Sequence, residues 1–133
     1  MNFDQTDLAQ QLGALDSAGL DGLPFGVIQV DGRMIVRRYN RYEALHTGLR
    51  AENVLGRHLF TEIAQCMNNY LVAQRIEDAL SAGQALDATI DYVLTWRMRP
   101  TPVQLRLLWA PGENLRWLLL RPAPAGGGAS RAT

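Results

Sequence analysis

The chain has 133 residues, thirteen acidic and thirteen basic side chains, and one cysteine. That length suits one domain, with roughly two thirds of the unfolded surface buried on folding. Zero net charge argues against a general nucleic-acid binder, a lone cysteine excludes a disulfide framework or multi-thiolate zinc site, and the absence of lysine excludes Schiff-base and phosphate-loop lysine chemistry.

Leu8, Leu12 and Leu15 recur at i, i+4 and i+7, which predicts a thin amphipathic helix over residues 6–18. Thr6 or Asp4 caps it, Asp7 suits its positive end, and Gly19 stops it. Gly26-Val27-Ile28-Gln29-Val30 reads as a strand, Asp31-Gly32 as a hairpin turn, and residues 34–39 as the returning strand. From Asn40 to Gln65 no period is sustained, and short helical turns beside a sheet are where a pocket forms. After Cys66, with Asn68 and Asn69 as cap candidates, Leu71, Val72, Ile76, Ala79 and Leu80 keep helical spacing until Ser81-Ala82-Gly83. Residues 87–94, 103–109 and 115–120 then read as three strands. The first two alternate, and the third is near-continuously apolar, as a central strand is. The tail is rich in Pro, Ala and Gly and has no apolar side to bury.

No run approaches the ~18 apolar residues of a membrane span, and the N-terminus lacks the basic-then-apolar pattern of a secretory leader. The cytoplasm is the expected compartment, where a thiol stays reduced. Three roles stay open for Cys66: apolar filler, reactive thiol or intermolecular link.

Five antiparallel strands with helices on one face make an α+β fold, a plan that resembles PAS sensor domains. On it, residues 1–24 form an N-terminal helical cap, 25–121 the PAS core and 122–133 a disordered tail. The residues carry a closer resemblance. Leu20-Asp21-Gly22-Leu23-Pro24-Phe25-Gly26 through Asp31-Gly32, then Arg38-Tyr39-Asn40, Glu43, Thr47-Gly48, Val54-Leu55-Gly56, Phe60, Ala64 and Cys66 keep the spacing of the photoactive yellow protein family. Met98 with Pro100-Thr101 resembles that family's loop over its chromophore. The resemblance spans residues 12–121.

The resemblance implies a blue-light photoreceptor, not an enzyme, with p-coumaric acid (4-hydroxycinnamic acid) bound to Cys66 as a thioester. It assigns Tyr39 and Glu43 to the phenolate oxygen, Thr47 to support of Tyr39, and Met98 to the chromophore wall. The family cycle is trans-to-cis isomerisation, proton transfer and loosening of the N-terminal segment. The chemistry suits these residue types. A thiol takes an acyl group readily. A buried phenolate needs strong donors, which a tyrosine and a carboxyl supply if the carboxyl stays protonated, as burial favours. Leu49 replaces the family's usual arginine, with Arg50 beside it as a possible substitute. Gln65 replaces a common proline, and Leu59, Leu94 and Trp96 stand where aromatics are frequent.

Two other readings compete. A PAS ligand-sensing or dimerisation module without covalent chromophore leaves Cys66 as filler. A haem sensor would use His46 or His58. Arg37-Arg38 and the Arg97/Arg99 pair read as solvated charge, and Trp96, Trp109 and Trp117 as sheet-face or dimer filling. The expected partner is a downstream signalling protein reached by contact, with no nucleic acid and no membrane. The expected oligomeric state is monomer or weak homodimer.

Overall fold

The computed structural model describes residues 1–95 and 100–123. Trp96, the Arg97/Arg99 pair, Met98 and most of the expected tail lie outside the described residues. The sheet has five antiparallel strands in the order β2-β1-β5-β4-β3. They are β1 (Gly26–Val30), β2 (Val36–Tyr39), β3 (Leu86–Leu94), β4 (Thr101–Trp109) and β5 (Arg116–Pro122). Both β1 and β5 are central, and β1 is buried along its whole length. No helix of the described residues is long and apolar enough to cross a membrane.

Alternation along the strands divides the core into two layers. Ile28, Val30, Leu105, Leu107, Leu118 and Leu120 face one side, with Tyr39, Leu59, Met67 and Ile76 packed over them. Val27, Leu108, Trp117 and Leu119 face the other, beneath Phe3, Leu8, Leu12, Leu20 and Phe25. The N-terminal segment therefore covers the back of the sheet, and the short helices cover the front. This double cover explains why β4, an alternating strand by sequence, is buried on both faces over its second half.

Several boundaries differ from expectation. The single helix expected over residues 6–18 is two helices, α1 (Leu8–Gly13) and α2 (Ser17–Asp21). Asp16 accepts from the Gly19 backbone N–H and starts the second one, an N-cap that breaks the leucine period. The hairpin is not a two-residue turn. Val30 pairs with Val36, Arg37 is the extra residue of a bulge, and Met34 takes φ 62°. Asp31 organises this longer loop by accepting from the backbone N–H groups of Arg33 and Ile35 and from Arg37 Nε. The helix after Cys66 begins later than the pattern implies, as α5 (Ala73–Ala82). Asn69 spends its side-chain oxygen on the N–H groups of Leu71 and Val72, which holds the approach in a turn.

Candidate functional site

Between β2 and α5 the chain forms α3 (Arg41–Thr47), α4 (Ala51–Val54), one π-helical turn (Leu59–Ile63) and one 3-10 turn (Gln65–Met67). Asn40 starts α3 and is 1% exposed. Its Oδ1 accepts from Glu43 N and Val27 N, and its Nδ2 donates to the carbonyls of Leu20 and Phe25. One amide thus ties α3 to β1 and to the end of the N-terminal segment, with all its hydrogen-bonding capacity used. Gly48, at φ 76°, closes the helix in the left-handed conformation.

Glu43 and Thr47 are four apart on α3 and share a face. Tyr39, the last residue of β2, meets them. The Tyr39 hydroxyl lies 2.6 Å from Thr47 Oγ1. Thr47 Oγ1 also donates to the Glu43 carbonyl at 2.9 Å and accepts from Leu49 N. Glu43 is 5% exposed, and its carboxyl has no hydrogen-bond partner among the described residues. Burial pushes its pKa up to about 7. Burial first, and the Glu43 carboxylate second, hold the Tyr39 phenol above its ordinary range, partly offset by Thr47. Tyr39 therefore stays a neutral O–H near neutral pH.

Tyr39, Glu43, Thr47 and Cys66 line one small cavity, with about 30 Å³ of enclosed space. Ile28, Leu49, Leu59, Ile63, Leu94 and Leu120 supply apolar walls. Cys66 is half-buried on the 3-10 turn. Its carbonyl accepts from the Tyr92 hydroxyl at 2.6 Å and from Asn69 Nδ2 at 3.2 Å. The arrangement offers a nucleophilic sulfur, a buried O–H donor and a buried carboxyl in one apolar chamber.

A PAS-fold family model matches residues 14–119. A solved structure, the photoactive yellow protein domain of the sensor histidine kinase Ppr from Rhodospirillum centenum, aligns with a TM-score of 0.78 and 38% identity, covering 84% of this chain and 97% of that one. The chain belongs to the photoactive yellow protein family. It is 28% identical over 121 residues to photoactive yellow protein of Rhodothalassium salexigens, covering 91% of this chain and 96% of the relative. It is 26% identical to that of Halochromatium salexigens, with the same coverage. As a member of this family it is a PAS-fold photoreceptor.

The family's departures have a structural meaning in this chain. Leu49 adds to the apolar wall of the cavity. Arg50 does not replace the missing arginine: it is exposed and pairs with Glu52 at 3.1 Å. Gln65 is exposed and donates to the Thr61 carbonyl. Neither histidine lines the chamber. His46 stacks on Tyr42 with centroids 4.1 Å apart, and His58 Nδ1 accepts from the N–H groups of Phe60 and Thr61 at the start of the π-turn. Trp109 and Trp117 are buried in the sheet. Among the described residues no group of three His, Cys, Asp or Glu side chains is placed to hold a metal.

Four contributors went unread in sequence. Asn40 carried a usable signal, since Asn-x-x-Glu is the start of a capping box, although Glu43 turns its carboxyl away from the helix start. Asn69 reads as a cap candidate, but its bond to the Cys66 carbonyl, like the parts played by Tyr92 and Gly26, carried none. Their contacts cross from one element to another.

Proposed function

We propose that the chain senses blue light through p-coumaric acid held on Cys66 as a thioester, with Tyr39 and Glu43 donating to its phenolate oxygen. The observation that carries this reading is the chamber itself. It brings the sole thiol together with a tyrosine hydroxyl, a threonine hydroxyl and a buried carboxyl, in otherwise apolar walls. When bound, the group supplies absorption in the blue and a light-driven change of shape. Met98 is proposed as a further wall on the family resemblance alone.

Each of the chain's own groups has a definable task. Cys66 fixes one point of attachment. Glu43, with a pKa near 7 from burial alone, holds its proton more tightly still when a negative oxygen faces it. It therefore acts as a neutral donor. Thr47 has one hydroxyl hydrogen. In this structure that hydrogen goes to the Glu43 carbonyl. Rotating it toward Tyr39 frees the Tyr39 O–H to donate into the chamber, while Thr47 stays within 2.6 Å. Loss of the proton from Glu43 leaves a carboxylate that is 5% exposed. Such an ion is costly without a partner, and α3 bears the strain. Asn40 joins α3 to the Leu20 carbonyl, so the N-terminal segment is the element that feels it.

The further roles follow as part of the same proposal. The chain works as a sensor, not a turnover enzyme, in the cytoplasm, as a monomer or weak homodimer, and signals by contact with a downstream protein. Mixing the purified chain with an activated p-coumaroyl donor is expected to give a yellow protein with one adduct on Cys66. A colourless protein with an unmodified Cys66 overturns the reading.

A further inference from the structure

We propose that Gly26 is the positioning residue for the Glu43 carboxyl, the strand being bare at this point so that the carboxyl can lie against it. The inference rests on Glu43 acting as the phenolate partner and adds the feature that places it.

Gly26 opens β1 and pairs with Leu120 of β5. A glycine within a strand weakens it, because it adds backbone entropy to the unfolded chain and packs no side chain. At Gly48, Gly56, Gly83 and Gly112 a positive φ accounts for the residue type, but Gly26 is not among these. Any L-residue could adopt its backbone, so conformation does not explain it. Space does. The three heavy atoms nearest to a Cβ built on Gly26 all belong to Glu43. Such a Cβ would overlap Oε1 outright, and would lie 3.1 Å from Cδ and 3.4 Å from the Glu43 Cβ.

Glu43 is thus held along its length. Its N–H is fixed by Asn40 Oδ1 and its carbonyl by Thr47 Oγ1. Its carboxyl is set by the flat backbone of β1. A methyl group at position 26 meets the free end of a side chain, so the fold accommodates it and the carboxyl moves. The titratable and polar groups that share its surroundings are Tyr39, Thr47 and Cys66 in the chamber, and Tyr42, His46 and Arg121 in the neighbouring groove. Displacement changes its distance to all of them.

The test uses Gly26→Ala, Glu43→Gln and the double variant, in the full chain. In the protein without chromophore, carbon-13 NMR of the Glu43 carboxyl is expected to show its titration midpoint displaced about threefold or more in proton concentration by Gly26→Ala. After reaction with an activated p-coumaroyl donor, Gly26→Ala is expected to move the absorption band in the same direction as Glu43→Gln. In the Glu43→Gln background, Gly26→Ala is expected to add less than half of the shift it causes alone, because neighbours that act through one group are not additive. An unchanged Glu43 titration together with an unchanged band overturns the proposal. Failure of the wild-type chain to take the adduct overturns the phenolate reading instead, and the carboxyl titration still decides Gly26. If Gly26→Ala does not fold, Gly26→Ala with Glu43→Ala removes the overlap. Its folding supports the proposal, and its failure to fold overturns it.

Discussion

The Tyr92 hydroxyl donates to the Cys66 carbonyl at 2.6 Å and itself accepts from Asn69 Nδ2 at 2.6 Å. This couples the turn bearing the only thiol to the edge strand β3, across 26 residues of chain. Without it, the Cys66 carbonyl keeps only Asn69 among the described residues, at 3.2 Å. Tyr92→Phe is expected to lower stability by ~1 kcal/mol, the usual net value of one such bond, read from urea unfolding. It is also expected to speed reaction of Cys66 with an aromatic disulfide several-fold, because the turn opens more often. Equal rates for the two proteins would show that Tyr92 does not restrain Cys66.

Removing the sulfur separates attachment from folding. Cys66→Ala is expected to bind no p-coumaroyl group and show no visible band, with a thermal midpoint within a few degrees of the parent. Cys66 is half-buried, so a small replacement leaves little void. A photoresponse retained in Cys66→Ala would move the chromophore elsewhere.

Glu43 sets a pH dependence of known sign. Its pKa rises from 4.5 in the unfolded reference to about 7 in the folded chain. The folded state therefore binds this proton more tightly. The resulting stability is full below pH 4.5 and is lost as pH rises to about 7. Converted at 1.36 kcal/mol per unit, the loss is about 3 kcal/mol. Urea unfolding of the chromophore-free chain at pH 5 and pH 8 measures it, and Glu43→Gln is expected to flatten this part of the profile.

Asp31 acts with the opposite sign. Burial raises its pKa, but the Arg33 and Ile35 N–H groups and Arg37 outweigh burial and hold it below 3.8. Its contribution is present above that value and fades as pH falls through the folded pKa. Asp31→Asn keeps the shape and loses the charge. The expected result is a smaller loss of stability below pH 4 than in the parent, from a lower starting point at pH 6.

Arg106 clamps the N-terminal segment to the back of the sheet. Its guanidinium pairs with Asp87 through two bonds of 2.9 Å and donates to the carbonyls of Phe3 and Gln5 at 2.7 and 2.8 Å. Arg121 stacks on the Phe3 ring, 4.3 Å from its centroid. Arg106→Met is expected to cost ~2 kcal/mol, within the range for charge-assisted bonds, and to speed proteolytic cleavage in residues 1–7 several-fold with cleavage elsewhere little changed. Uniform acceleration along the chain would mean that Arg106 supports the whole fold instead.

Much of this architecture was legible because local chemistry and burial agree. The alternation over β3 and the apolar run of β5 each reflect a period that a few residues display. The split of the first helix was hidden because a leucine spacing spans the break, and only Asp16 capping Gly19 reveals it. The antiparallel pairing of β1 with β2 was legible, but the length of their loop was not, because Asp31-Gly32 suits a two-residue turn whereas the Asp31 side chain closes a longer one.

The sequence by itself determined the family, because the spacing of Tyr39, Glu43, Thr47 and Cys66 is a property of one dimension. It also determined the strand order along the chain and that one thiol is available. Only the tertiary structure decided how Glu43 is placed, because its environment comes from Gly26 seventeen residues away and Asn40 at the helix start. The same holds for the clasp of Tyr92 and Asn69 on Cys66 and the grip of Arg106 on Phe3. Hydrogen bonds and steric exclusion act over a few ångströms whatever the distance along the chain. Contacts of that kind leave no period in the sequence, and they exist only once the sheet has brought its strands together.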